Sequence, residues 1–511
     1  MSSSTLENIV IVGGGTAGWM TAAALSRLLP QRCRIRLVES EAIGTVGVGE
    51  ATIPHIRYFN SLLGIDEAEF MRATGATYKL AIRFVGWGSE QGDYFHPFSA
   101  FGSDLNGLDF HHYWLKVRSQ LPELSLDDFS AASLAAATGR FAQPPADAEH
   151  GFGYAFHLDA SRYARYLRDF AEQRGVQRIE GKVESVECDP DSGHIRKLAV
   201  DSGQLLEGQL FVDCSGFRGL LIEKALGVGY QSWRHWLPCD RAVAMASPGM
   251  AQPPSYTKVT ATQAGWIWQI PLQHRTGNGH VYASDYLSDD EACARLLQQI
   301  DGQAESEPNF IRFEPGYRHR SWEKNCVAIG LSGGFLEPLE STSIYLIQMA
   351  ILKLVEFFPD AGCTGLGRDA YNRWMALEYE RVRDFLVLHY HLNQRQDSPF
   401  WRDRQSQEIP PELGRKMALF RQSAAVEFYE HGLFAQPSWL AVYLGQGLSP
   451  DRLDPRVESL KTERVAKCLR KYAEECRVLA QSMPEHAEAL AQNDTGPRAA
   501  ANLSLYGGRY G

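Results

Sequence analysis

The chain has 511 residues, 44% of them apolar, which is enough to bury a large core and to form two or three structural units. Its 51 Lys and Arg against 61 Asp and Glu give a formal charge of −10, and no basic cluster breaks that balance, which argues against nucleic acid or an anionic membrane as partner. The nine Cys are scattered without a Cys-x-x-Cys pair, so neither a disulfide framework nor a structural zinc site is indicated and a reducing cytoplasm fits.

Ile9-Val10-Ile11-Val12 reads as a buried strand, Gly13-Gly14-Gly15-Thr16-Ala17-Gly18 as a tight turn, and Trp19 to Leu29 as a helix. Glycines let the backbone approach a pyrophosphate, which then meets the free N–H groups at the positive end of the helix. A second strand, Arg34 to Val38, ends at Glu39, close to the offset of a carboxylate that grips a ribose hydroxyl. The apolar N-terminal run follows Glu7 and is broken by glycines, so it is neither a signal peptide nor a membrane span. Gly44 to Pro54, which includes Ala51, is too glycine-rich for a regular element and reads as a loop passing over a ligand, ahead of helices near Ile56–Leu63 and Glu67–Thr74.

Thr77 to Val85 alternates Tyr78, Leu80, Ile82 and Phe84 with Lys79, Ala81, Arg83 and Val85, the pattern of a strand with one apolar face. By pattern alone Lys79 lies on the polar face, in water or guarding an edge. Helices are expected from Leu108 to Ala137 and from Leu158 to Arg174, followed by strands around Val176–Val200 and a short strand, Leu210–Val212, ending in Asp213. The His111-His112 pair has no second cluster at ligand spacing, so no metal site is expected. Residues 232–322 read as strands with one helix near Asp289–Gln299. Within them, Gly265-Trp266-Ile267-Trp268-Gln269-Ile270-Pro271 places two indoles and Ile270 on one face of a strand that Pro271 ends. Alone, such a stretch reads as core packing.

Asn325–Gly330 is another buried strand. It feeds a helix, Ile344–Phe357, that is apolar around most of its circumference. Gly330-Leu331-Ser332-Gly333-Gly334 matches the hydrolase nucleophile elbow formally, but Gly333, Gly334 and Pro338 forbid the helix that must follow the serine. Glu337-Pro338-Leu339-Glu340-Ser341-Thr342-Ser343 opens the apolar helix. Taken alone it is a cap, yet three hydroxyls stand where one would serve and no capping box follows, which suits a small anion such as a halide. Helices dominate from 368 onward, and Asn493–Gly511 reads as a loosely ordered tail.

The glycine turn with Trp19, the Lys79 strand, Gly265–Pro271 and Pro338–Ser343 together resemble the flavin-dependent halogenases, in the tryptophan-halogenase branch. The resemblance runs from the N-terminus to about residue 450. It implies an α/β fold: a Rossmann-type FAD-binding domain like that of single-component flavin monooxygenases, with an inserted β-rich substrate region and a C-terminal helical region. The expected division is a discontinuous FAD domain at 1–75, 150–231 and 323–360, inserted segments at 76–149 and 232–322, helices at 361–492 and a tail at 493–511.

What the family does then follows as an expectation. FADH2 and O2 give a flavin C4a-hydroperoxide, halide (bromide or chloride) attacks it, and the hypohalous acid reaches an electron-rich aromatic, an indole or indole derivative. Lys79 would hold the oxidised halogen and Glu340 would polarise it or take the ring proton. Thr342 and Ser343 would line the halide site. Gly13, Gly15, Thr16, Ala17, Gly18, Glu39, Ala51, Asp213, Gly330 and Leu331 would contact FAD. Trp266, Trp268, Ile270 and Pro271 would wall the substrate off from flavin, and His96 and Phe98, in a His-x-Phe pair, would stack on its ring. Gly330-Leu331 stands where the monooxygenases carry Gly-Asp, a change shared with halogenases. The short region before Pro437-Ser438-Trp439-Leu440 offers no match to the clamp that holds free tryptophan, so an open pocket for indole or a larger indole-bearing molecule is expected. No second glycine fingerprint appears, so reducing equivalents would come from a separate NAD(P)H-dependent flavin reductase; a homodimer is compatible with the resemblance. The alternatives are an aromatic hydroxylase of the flavin monooxygenase type and a non-catalytic flavin-binding protein.

Overall fold

The computed structural model describes residues 6–43, 49–105, 107–144, 151–360, 363, 365–429 and 431–492; residues 44–48 of the glycine-rich loop and the tail at 493–511 lie outside them. A six-stranded sheet forms the floor, in the order Trp322–Glu323, Cys326–Ala328, Leu210–Asp213, Asn8–Val12, Arg34–Glu39, Gln177–Glu180. All its pairings are parallel except the edge pair Trp322–Glu323 with Cys326–Ala328. Both faces of Asn8–Val12 are covered, which is why that strand is an unbroken apolar run. Ile9 and Ile11 join the core that contains Trp19, Met20 and Ile351, whereas Val10 and Val12 pack with Ile195, Leu198, Val200 and Leu206 of a small antiparallel sheet.

The second large sheet has seven strands, in the order Asn309–Arg312, Arg241–Pro248, Arg275–Tyr282, Gly265–Pro271, Tyr256–Thr262, Ala81–Val85, Asp93–Pro97. The segments 76–149 and 232–322 meet in it, because Tyr256–Thr260 pairs in parallel with Ala81–Val85. The helices Gly365–Leu392, Pro399–Ser406, Pro411–Ser423, Gln436–Gly445 and Thr462–Ser482 make up most of the C-terminal part. Among the described residues no helix is long and apolar enough to cross a membrane.

Three elements differ from expectation. Gly49–Ala51, within the stretch expected to lack a regular element, is a short strand paired antiparallel with Ala155–Asp159, a partner too distant in sequence for local glycine content to report. The single strand expected over Thr77–Val85 is two strands in two sheets. Thr77–Lys79 pairs with Ala155–Asp159, and Ala81–Val85 belongs to the seven-stranded sheet. The chain changes sheet at Leu80, whose N–H donates to the Ser255 carbonyl (2.7 Å) and whose carbonyl accepts from Phe98 N–H (2.9 Å). Lys79 is therefore fully buried, while Arg83, its counterpart in the alternation, is half-buried and pairs with Asp93. An alternating pattern reports side-chain facing within one sheet and cannot register a change of sheet. The helix expected from Leu158 begins at Ala160 instead, after the strand Ala155–Asp159. Asp159 caps it, accepting from Ser161 and Arg162 N–H.

Candidate functional site

Between the two large sheets lies a cavity of about 520 Å³, bordered at one end by Gly13, Gly14, Gly15, Thr16, Ala17 and Glu39 and at the other by Thr257, Trp266, Trp268 and Ile270. The glycine turn is shaped by contact. Gly13 adopts φ +112°, and a Cβ there would stand 2.2 Å from the Cys214 carbonyl oxygen; one on Gly18 would stand 1.8 Å from the Gly13 oxygen. At Gly15 a Cβ would meet nothing within 4 Å. Open space there faces the helix Thr16–Leu28, whose N-cap, Gly15 itself, supplies no side-chain acceptor for the first N–H groups. A pyrophosphate fits that combination. Glu39 borders the cavity where a ribose hydroxyl would need an acceptor, and its carboxylate is fixed by the Arg178 guanidinium at 2.6 Å.

The other end is the indole wall. Trp266, Trp268 and Ile270 all face the cavity that the glycine turn borders, as period-two alternation requires of residues on one side of a strand. Pro271 does not reach the cavity; its carbonyl accepts from Thr77 Oγ1 at 2.7 Å.

Lys79, which does not border the cavity, is 0% exposed, and its Nζ donates to the Thr52 carbonyl (3.0 Å) and to Ser341 Oγ (2.8 Å). Burial pushes its pKa down to about 7, a shift that the nearby Glu340 carboxylate only partly opposes. The amine is 5.3 Å from the centre of the Phe98 ring. Glu340 is equally buried. His96 Nδ1 lies 2.8 Å from its Oε2, and His389 Nε2 lies 2.7 Å from its Oε1 but off the line of an aligned hydrogen bond. Burial works to raise this carboxyl, yet the two imidazoles outweigh it and hold the pKa at about 2. A group that can be a neutral amine thus stands beside a permanent carboxylate.

Ser341 connects Lys79 to the cavity. It borders the cavity, holds Lys79 and adopts φ +59°, turning the chain between the short turn Pro338–Glu340 and the helix Ser343–Glu356. Ser343 also borders the cavity, whereas Thr342 does not. Thr342, at the helix N-cap, makes no cap bond, and its buried Oγ1 has no partner. An unpaired donor at the N-terminus of a buried helix suits a monatomic anion.

The remaining expected residues fall into two groups. Ala51 and Leu331 border the cavity with Glu50, whose carboxyl burial pushes up to about 7. Asp213 does not border it: its oxygens accept from Ser215, Leu221 and Ile222 N–H, so it shapes the turn after its strand. Gly330 also acts indirectly, since a Cβ there would stand 2.7 Å from that of Ala17. His96 is held between Glu340 and Ser438 Oγ (2.6 Å), with its ring tilted on Phe385 and Phe434 rather than free to stack. Ser332 donates to backbone carbonyls of Asp213 and Ile329, so no exposed nucleophile exists there. Asp109 joins His111 and His112 with ligand atoms within 4.8 Å of one another, a grouping pair spacing did not reveal; His111 Nε2 is bonded to the Ala424 carbonyl and His112 Nδ1 to Asp454 N–H. Sequence reasoning missed Ser341 and His389. The first sits within a motif already singled out; the second lies in a long helix with no local signal.

The family model for tryptophan halogenase matches residues 8–462. The chain belongs to the tryptophan halogenase family. Tryptophan 6-halogenase SttH of Streptomyces toxytricini is 38% identical, over 96% of this chain and 99% of its own. A flavin-dependent halogenase from Xanthomonas campestris superposes with TM-score 0.93 at 46% identity, covering 97% of this chain and 100% of its own. BrvH, a flavin-dependent halogenase from Brevundimonas sp. BAL3, gives TM-score 0.92 at 46% identity, covering 96% and 99%. This tryptophan halogenase family member is a flavin-dependent halogenase, so its cofactor is FAD and its inorganic substrate a halide. The open cradle at Gly15 and the Glu39 carboxylate fit the dinucleotide part of FAD.

Proposed function

We propose that this halogenase delivers chlorine or bromine from Lys79 to one carbon of an indole or indole derivative, with Glu340 as the base for the ring proton. Bound FAD, supplied reduced by a separate flavin reductase, gives with O2 the oxidant that converts halide to hypohalous acid. Thr342 and Ser343 hold the halide near the helix N-terminus. Trp266 and Trp268 close the cavity against the aromatic guest, so that oxygen is not transferred directly. Ser341 lies where the oxidised halogen passes from the cavity to Lys79. When neutral, the Lys79 amine attacks the halogen of hypohalous acid through its nitrogen lone pair, so that N–halogen forms as halogen–oxygen breaks and the hydroxide leaves as water with a proton from the amine; when protonated, it binds hypohalous acid by hydrogen bonding. Glu340, with its Oε1 free of an aligned donor, stays ionised and takes the proton as the ring regains aromaticity. Phe98, beside the amine, supplies an aromatic face for the guest.

The observation that carries this reading is the bridge Lys79–Ser341, which ties a buried amine to the border of the cofactor cavity. The region before Pro437 supports indole over free tryptophan. The test is turnover of indole and of tryptophan with FAD, a flavin reductase, NADH, O2 and each halide. The expected product is monohalogenated indole, formed faster than halotryptophan. A product that gains oxygen and no halogen would make the chain a hydroxylase, and bound FAD without turnover would make it a binding protein.

A further inference from the structure

A second buried carboxylic side chain, Glu337, stands one turn before Glu340, and the reaction as derived makes no use of it. It is 1% exposed. Its Oε2 accepts from the Tyr390 hydroxyl at 3.0 Å and from the Trp266 indole N–H at 3.4 Å. Tyr390 in turn lies 3.4 Å from Cys239 Sγ, and its ring is stacked on Trp401 and edge-on to Trp87, so the phenol has little freedom. Among the described residues no cation pairs with Glu337, in contrast to Glu340 between its two histidines. Burial pushes its carboxyl up to about 7.

These contacts form a pair of parallel ties. Glu337 precedes the turn Pro338–Glu340 and Glu340 ends it, and they meet consecutive residues of the helix Gly365–Leu392: Glu337 meets Tyr390, and Glu340 meets His389. A slip of the turn along the helix would break both. Glu337 also takes the N–H of Trp266, an indole that borders the cofactor cavity, so one oxygen fixes the wall and the turn relative to each other.

We infer that Glu337 is a positioning residue: a hydrogen-bond acceptor that sets the register of the Glu340–Ser341 turn against the helix carrying His389 and holds the Trp266 wall to the same frame. It does not border the cofactor cavity, and its role needs an acceptor at Oε2 rather than a negative charge. The inference rests on the halogenase mechanism proposed above for its kinetic consequences, but not for its geometric ones.

The test uses the full chain with Glu337→Gln, Glu337→Leu and Tyr390→Phe, each checked for FAD binding and melting temperature. Glu337→Gln keeps an acceptor oxygen and is expected to stay within about threefold of wild-type kcat, whereas Glu337→Leu loses at least about tenfold in kcat, with KM for indole little changed, because the base is misplaced rather than the guest. Less halogenated product per NADH consumed is expected from Glu337→Leu as the wall loosens. Tyr390→Phe, which keeps the carboxyl and removes the tie, should fall between these and decides the matter if Glu337→Leu does not fold. Wild-type kcat and coupling in Glu337→Leu or Tyr390→Phe would overturn the inference. Equal loss in Glu337→Gln and Glu337→Leu would also overturn it, since the charge would then be what matters. If the wild-type chain makes no halogenated product, the function proposed above fails; a crystal structure of Glu337→Leu then decides this one, supporting it if Trp266 and Glu340 move and overturning it if they stay in place.

Discussion

Lys79 is costly where it stands, and that cost can be measured. Its ordinary pKa near 10.4 falls to about 7 on folding, so between those values the unfolded chain binds more protons than the folded one. Stability therefore rises with pH across that window, and the penalty is full below about 7. Lys79→Met is predicted to melt above wild type at pH 6, with the difference shrinking toward pH 10; equal melting temperatures at pH 6 would contradict the burial. The same variant is expected to lose halogenation while binding FAD as wild type does, read by product mass spectrometry and flavin titration. If the neutral amine carries the halogen, single-turnover product formation in the wild type declines on the acid side with a midpoint near 7. Glu340 behaves oppositely: held at about 2, it contributes no acid limb in the working range. Glu340→Gln is predicted to lower kcat by about a hundredfold without abolishing it, since a positioned base contributes on that order; unchanged kcat would remove Glu340 from the proton step.

At the level of elements, the wall depends on a missing side chain in the neighbouring strand. Gly279, opposite Trp268 in the pairing of Arg275–Tyr282 with Gly265–Pro271, has no Cβ, and one added there would stand 2.0 Å from the indole ring. Gly279→Ala is predicted to cost about 1–3 kcal/mol by overpacking a rigid ring and to weaken FAD binding, because the displaced indole enters the cavity. Calorimetry with flavin titration checks both, and unchanged values would show that the indole has room to move. The stretch Gly265–Pro271 was legible as a one-faced strand because its period of two is unambiguous. What lay against that face was not, since Trp266, Trp268 and Ile270 would read the same on a plain core. The Lys79 strand was less legible: the change of sheet at Leu80 is made by hydrogen bonds to Ser255 and Phe98, both distant in sequence.

For the whole molecule, the site exists only because distant segments converge. Lys79, Thr52, Ser341, His96, Glu340, His389 and Ser438 come from six separate stretches, and only His96 belongs to one of the two large sheets; the others lie on a small third sheet, a loop, a turn and two helices, beside the cavity proposed for FAD. FAD is therefore predicted to raise the melting temperature: a ligand at a hundred times its Kd adds about 2.7 kcal/mol if it binds the folded state alone. Gly15→Leu, which places a side chain in the pyrophosphate space, should abolish that rise at the same FAD concentration, while a retained rise would move the dinucleotide elsewhere.

The chain's own order of residues determined the parts that depend on local rules: the strand–glycine–helix unit, the one-faced indole strand, the apolar helix after Glu337–Ser343, and, through resemblance, the family. Only the tertiary structure decided that Lys79 is buried, that Ser341 links it to the cofactor cavity, that Asp213 serves a turn rather than the cavity, and that two histidines keep Glu340 ionised. The physical reason is range. Periodicity and turn chemistry act over a few residues, whereas desolvation and charge pairing are set by whatever the fold brings within a few ångströms.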